Sequence, residues 1–159
     1  MTPTPSIPTT LTEITRFLAL NNIAIVGVSR TGKGFAANVF ADFKKRGYAV
    51  TAVNTKAALG DAELCASIAA VAPHPDGVVL IVPSTAIRGA VDDCIAAGIH
   101  SIWIYAMSGK LDTAVLEHCK EHGVTTISGH CPLMFLSNPV FFHRMHRFGL
   151  KLAGKYPKP

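Results

Sequence analysis

The chain has 159 residues, enough for one domain with a substantial core, and carries a formal charge of +5. It is 49% hydrophobic and only 16% charged, a balance that excludes a disordered polymer. Its apolar runs stay short of the ~18 residues of a membrane span. The positive balance favours anionic ligands, but no basic–aromatic pattern points to nucleic acid.

The first residues, Met1-Thr2-Pro3-Thr4-Pro5-Ser6-Ile7-Pro8, have neither the basic nor the apolar stretch of a secretory signal, and 1–9 reads as a flexible tail. Thr10-Leu11-Thr12-Glu13 has capping-box spacing and predicts a helix with Leu11, Ile14 and Leu18 on one side. Apolar, β-branched runs follow about every 25 residues, at 23–28, 49–53, 77–82, 101–105 and 124–128. Between them lie helical patterns. Phe35, Val39 and Phe43 recur before Gly47. Ile87, Val91 and Cys94 follow Ser84, read as an N-cap, and end before Gly98. Leu111, Val115 and Cys119 run to Gly123. Continuous apolar strands alternating with helices predict a doubly wound α/β domain with a mainly parallel, five-stranded sheet. After Pro139 a last helix carries Phe141, Met145, Phe148 and Leu152 on one stripe and Arg144, Arg147, Lys151 and Lys155 on another. It reads as an added helix packed on the domain or on a twin subunit, which makes a homodimer one expectation. The divisions are therefore 1–9, 10–136 and 137–159.

In such sheets ligands bind beyond the carboxyl ends of the strands. The first of these ends is Gly27-Val28-Ser29-Arg30-Thr31-Gly32-Lys33-Gly34, where glycines and two cations precede a helix. That arrangement presents backbone N–H groups and positive charge to a phosphate. It matches G-x-x-x-x-G-K-[ST] except at the last position, where Gly34 lacks the hydroxyl that would hold Mg²⁺, so NTP hydrolysis is not expected. The dinucleotide fingerprint G-x-G-x-x-G would need glycine at Ser29. After the second strand, Val53-Asn54-Thr55-Lys56 offers no acid for a ribose 2′-OH, and Lys56 suits an extra ribose phosphate, as in NADP or coenzyme A.

Over residues 10–135 the order of these motifs resembles the small stand-alone CoA-binding domains, relatives of the nucleotide domain of the succinyl-CoA synthetase α-subunit. The resemblance rests on Gly27-Val28-Ser29-Arg30, on Gly47-Tyr48-Ala49-Val50 leading to Asn54-Thr55-Lys56, on Val82-Pro83, and on Gly129-His130-Cys131. It implies a Rossmann-like fold that binds coenzyme A or an acyl-CoA without hydride transfer. It implies further that Gly27, Ser29, Arg30 and Lys33 face the phosphates. Asn54 and Lys56 would lie near the adenosine and its 3′-phosphate, and Val82 and Pro83 would line the adenine or pantetheine path. Two positions depart from the family pattern: Thr55 replaces a proline, and Ala106-Met107-Ser108-Gly109 replaces a Gln-Pro-Gly turn.

Other candidates for chemistry are weaker. His118-Cys119-Lys120-Glu121-His122 fits H-x-x-E-H, but no third ligand is evident beside it and it reads as a surface helix. His130, Cys131, His143 and His146 match no zinc spacing. Cys131 follows a strand end, where His130 or the basic tail would lower its pKa and permit acyl transfer; a buried structural thiol is the plainer reading. Cys65, Cys94, Cys119 and Cys131 show no clustered spacing and suit a reducing cytoplasm. No paired carboxylates or Ser–His–carboxylate order assigns a catalytic residue. The expectation is a cytoplasmic CoA- or acyl-CoA-binding module, with an NADP-linked reductase, acyl transfer through Cys131, or a pure interaction protein as alternatives.

Overall fold

A computed structural model describes residues 8–56, 64–136 and 141–159, apart from the side chains of residues 141–144 and 146. The elements are α1 (Leu11–Leu18), β1 (Asn22–Val26), α2 (Phe35–Lys45), β2 (Ala49–Val53), β3 (Leu64–Cys65), β4 (Gly77–Leu80), α3 (Ile87–Ala96), β5 (Ser101–Ile104), α4 (Thr113–Glu121), β6 (Thr125–Ser128) and α5 (Phe141–Leu152). The six strands form one sheet in the order β3-β2-β1-β4-β5-β6, every neighbouring pair parallel. The chain winds outward from β1 to β3, then returns to place β4 on the other side of β1. The switch point of the doubly wound sheet lies between β1 and β4.

The strands are apolar throughout because both faces are covered. On one face Ile23, Ile25, Val79, Trp103 and Ile127 pack beneath α1 and α2, with Ile14, Phe17, Val39 and Phe43 above them. On the other, Ala24, Val26, Val78, Leu80, Ile102 and Ile104 pack beneath α3 and α4, with Val91, Cys94, Val115 and Cys119. Alternate residues of one strand thus feed two cores. Trp103, fully buried, packs edge-on to Phe17 at 5.5 Å and donates its indole N–H to the His130 carbonyl at 2.9 Å.

Several sequence expectations need correction. The sheet has six strands, not five: β3 is a two-residue edge strand, half-buried and joined to β2 by backbone pairing, so it carries no apolar run to reveal it. The capping box of α1 is present, with Thr10 and Glu13 satisfying each other's backbone N–H, but its buried residues are Ile14 and Phe17, while Leu11 and Leu18 are only partly covered. Ser84 does not cap α3. A 3₁₀ turn over Ser84–Ala86 intervenes and Ala86 is the N-cap, without a side-chain hydrogen bond. Asp112 caps α4 through its carboxylate and the Ala114 N–H, at 3.0 Å.

The C-terminal helix is present, although Pro139 lies outside the described residues. Within the chain it does not pack through the stripe named from sequence. Met145, Phe148 and Leu152 are 58%, 64% and 74% exposed, whereas Leu150 packs on the core. The chain then turns back: Tyr156 stacks on Phe135 with ring centroids 5.6 Å apart, Pro157 is buried, and the Lys158 carbonyl accepts from Leu11 N–H at 2.7 Å. Of the N-terminal tail, residues 1–7 lie outside the described set. Thr9 is buried, its hydroxyl donating to the Ser128 carbonyl at 3.3 Å and accepting the Ser128 N–H at 3.1 Å. Among the described residues no helix is long and apolar enough to cross a membrane.

Candidate functional site

The register of the sheet sets the ends of three strands level. Val26 of β1 stands opposite Val53 of β2 and Leu80 of β4. Gly27, Asn54 and Ile81 therefore leave the sheet side by side. One more rung of hydrogen bonds holds them there: Gly27 N–H to Val53 O at 2.9 Å, Asn54 N–H to Cys65 O at 2.9 Å and Ile81 N–H to Val26 O at 3.0 Å. Gly27 has φ near +100°, and a Cβ built on it would collide with the Ile81 carbonyl oxygen and approach Val82 Cγ1 to 3.3 Å. Only glycine lets β1 turn out of the sheet this close to β4.

Beyond Gly27, Val28 is buried and the turn folds on itself. Ser29 Oγ lies 2.8 Å from Thr31 Oγ1 and accepts the Thr31 N–H at 3.2 Å, and Ser29 O accepts the Gly32 N–H at 3.0 Å. Asn54 ties this turn to the next one. Its Nδ2 donates to Val28 O at 2.7 Å while its Oδ1 accepts the Lys56 N–H at 2.8 Å. Both ends of that amide are thus engaged within the protein. Its place is that of a clamp between the β1 and β2 turns.

The turn ends at Gly34, the N-cap of α2, with φ near +100° and no side-chain cap; no acid stands in the first turn. Among the described residues, the N–H groups of that turn and the positive end of the helix dipole are therefore left without an acidic or side-chain partner. Arg30, Lys33 and Lys56 are exposed, and among the described residues their side chains make no hydrogen bond or ion pair. Val82 is half-buried and Pro83 exposed, following β4 across the switch point. The eight residues singled out by sequence thus all sit on the carboxyl edge. Gly27, Ser29, Asn54 and Val82 are close neighbours there; the three cations extend from the turns around them.

Sequence reasoning did not pair two aromatic residues near this edge. Phe35, at the start of α2, stacks on Tyr105, just beyond β5, with centroids 4.8 Å apart and planes inclined by 32°. Both rings are half-buried. Burial, with a smaller contribution from Cys131, pushes the Tyr105 phenol above its ordinary pKa, so it stays protonated. An aromatic residue closing an apolar run was the available signal.

Cys131 is buried, in line with the plainer of its two readings. It is 9% exposed, and burial pushes its thiol up, with only partial relief from the Leu133 and Met134 backbone. His130 is poorly suited to be the cation that would lower it: burial depresses the imidazole's own pKa, and among the described residues its buried Nδ1 has no hydrogen-bond partner. A protonated, covered thiol is a poor nucleophile.

Solved structures with this fold include a hypothetical protein from Pyrococcus horikoshii OT3, 22% identical with a TM-score of 0.69 over 83% of this chain and 94% of that one. A second, cell-free ID.343 from Thermus thermophilus, is 16% identical with a TM-score of 0.62, covering 85% of this chain and 93% of the other. The dinucleotide-forming acetyl-coenzyme A synthetase 1 of Ca. Korarchaeum cryptofilum, solved with phosphate and ADP, is 20% identical with a TM-score of 0.60. There 71% of this chain aligns with 26% of the synthetase, so the likeness spans one part of a much larger protein. No curated protein matches the chain significantly. The CoA binding domain family matches residues 21–137, from the start of β1 to beyond the last strand and its following turn. With most of its length matched, the chain belongs to the CoA binding domain family.

Proposed function

We propose that the chain is a binding module for coenzyme A or an acyl-CoA, held across the carboxyl edge of β1, β2 and β4. Family membership carries the reading, because the matched segment contains every residue of the two turns. In this reading the α2 N-terminus and the backbone beyond Gly27 receive the pyrophosphate, with Ser29, Arg30 and Lys33 around it. Lys56 answers the 3′-phosphate. Asn54 serves the adenosine side indirectly, by fixing the turn that carries Lys56. Val82 and Pro83 line the adenine or pantetheine path.

Binding rather than catalysis is supported by the covered, protonated Cys131, which does not favour acyl transfer. The four free cysteines, three of them buried, support work in a reducing cytoplasm. We further divide the chain into the tail 1–9, the binding domain 10–136 and an appended segment 137–159.

Calorimetric titration with CoA, dephospho-CoA, NAD and NADP tests the reading. CoA should bind most tightly, and loss of the 3′-phosphate should weaken it. Lys33→Ala and Lys56→Ala should each reduce CoA affinity about tenfold, equivalent to about 1.4 kcal/mol. Lys56→Ala alone should erase the preference for CoA over dephospho-CoA. CoA affinity unchanged in both variants would remove these residues from the site; NADP binding without CoA would turn the function toward a reductase.

A further inference from the structure

On the opposite layer from α1 and α2, one turn of α4 meets α3 through a cluster that the CoA reading does not use. One ligand atom each from His118, Glu121 and His122 lies within 4.8 Å of the others. The sequence supplied the H-x-x-E-H spacing but could not show what stands beside it. Asp92, from α3, accepts a hydrogen bond from His118 Nε2 at 2.7 Å. A carboxylate accepts hydrogen bonds and donates none, so Nε2 carries the hydrogen and Nδ1 is left to accept. Arg88 Nη2, 3.1 Å from Nδ1, agrees with that tautomer. His122 Nδ1 lies 2.9 Å from the His118 carbonyl, which likewise only accepts, so its lone pair is on Nε2.

We propose that His118, Glu121 and His122 bind a divalent transition-metal ion of the zinc class. The ligands would be His118 Nδ1, His122 Nε2 and the Glu121 carboxylate, with water completing the shell. Two imidazoles and one carboxylate suit zinc and its neighbours, whereas calcium and magnesium require oxygen ligands. Histidines one helical turn apart share a face, and here their ring centroids are 4.4 Å apart. Asp92 acts as the outer partner that fixes the tautomer and orientation of a metal-bound histidine. His118 is already well held, its side chain only 16% exposed. The carboxyl end of α4 adds a negative dipole field.

Two cations stand nearby. Lys120 lies two residues from each histidine and so projects from another face of the helix. Arg88 is the competitor. It caps Nδ1 of His118, but its side chain is 52% exposed and also bonds Asp92 at 3.4 Å. It can therefore release the imidazole and keep the carboxylate, so that metal entry breaks one hydrogen bond. The proposal is independent of CoA binding.

The test is titration of the full chain with ZnCl₂ in a non-chelating buffer, followed by calorimetry and by the thermal midpoint. The expected result is one zinc per chain and a raised midpoint. His118→Ala and His122→Ala should each weaken binding at least about tenfold and abolish the rise, while retaining native circular dichroism. Asp92→Ala should weaken it by about 10–100-fold. Arg88→Ala, which removes the competitor, should tighten it. Absence of saturable zinc binding overturns the site, as does binding undiminished in the His118→Ala/His122→Ala double variant.

Discussion

Gly27→Ala isolates the contact on which the carboxyl edge depends. The native φ near +100° is one that residues with a Cβ avoid, at a cost of about 1–2 kcal/mol. The new methyl would also meet the carbonyl of Ile81, which is backbone and is held by the Ile81–Val26 hydrogen bond at 3.0 Å. It cannot rotate away as a side chain would, so overpacking adds about 1–3 kcal/mol. A loss of about 2–5 kcal/mol is a large part of the ~5–15 kcal/mol that holds a domain of this size. Gly34→Ala is the internal control. Gly34 has the same φ, but among the described residues nothing lies within 4 Å of its would-be Cβ, so only the conformational cost applies. Urea unfolding can be followed through the sole tryptophan, Trp103, which is fully buried between Phe17 and Phe135. Equal losses in the two variants would refute the collision. A loss below about 1 kcal/mol in Gly27→Ala would refute the whole account of this turn.

Two further outcomes follow from the titrating groups. Cys65 is half-buried while Cys94, Cys119 and Cys131 are buried, and burial pushes the Cys94 thiol up to about 12. Iodoacetamide should therefore label Cys65 first in the native protein, with Cys131 reacting only on unfolding; mass spectrometry of timed digests checks the order, and early labelling of Cys131 would overturn its assignment as inert. Burial holds His130 below its ordinary pKa of 6.5. The unfolded chain then binds the extra proton, so stability is full above about pH 6.5 and falls as pH drops toward the folded value. Unfolding free energies of wild type and His130→Gln between pH 5 and 8 should diverge least in slope at the alkaline end, the variant showing the shallower acid decline; parallel curves would contradict a buried neutral imidazole.

The sheet was legible because its strands are covered on both sides, which leaves continuous runs such as Ile23-Ala24-Ile25-Val26 that no surface strand would show. What escaped was structure made by backbone alone or by distant partners. Leu64 and Cys65 add a strand through main-chain bonds, with no run of side chains to announce it. Ser84 had the chemistry of a cap, but Pro83 leads into a 3₁₀ turn that carries the serine away from the α3 end. On α5 the periodicity of Met145, Phe148 and Leu152 was real. Periodicity says that a face is apolar, not that the core lies under it, and here Leu150 and the returning Tyr156 make the contacts. Asp92 stands 26 residues from His118 in sequence, so the H-x-x-E-H spacing alone does not reveal its partner.

At the carboxyl edge, the division between legible and hidden follows what each side chain is free to do. The family resemblance places Asn54 near the adenosine, and its amide can both donate and accept. Folding uses both functions, on Val28 O and on the Lys56 N–H. Ser29 is similarly engaged with Thr31. The polar residues of the turns therefore supply shape, and what remains unspent is the uncapped α2 N-terminus with Arg30, Lys33 and Lys56. A site built this way offers positive charge on a fixed backbone with few neutral donors of its own. On the CoA reading proposed above, that chemistry favours ligands bearing several phosphates over those recognised by base or sugar alone. In the proposed reading, the distinction between coenzyme A and its relatives thus falls on Lys56, placed by Asn54 at the level of β2, rather than on any residue of the glycine turn itself.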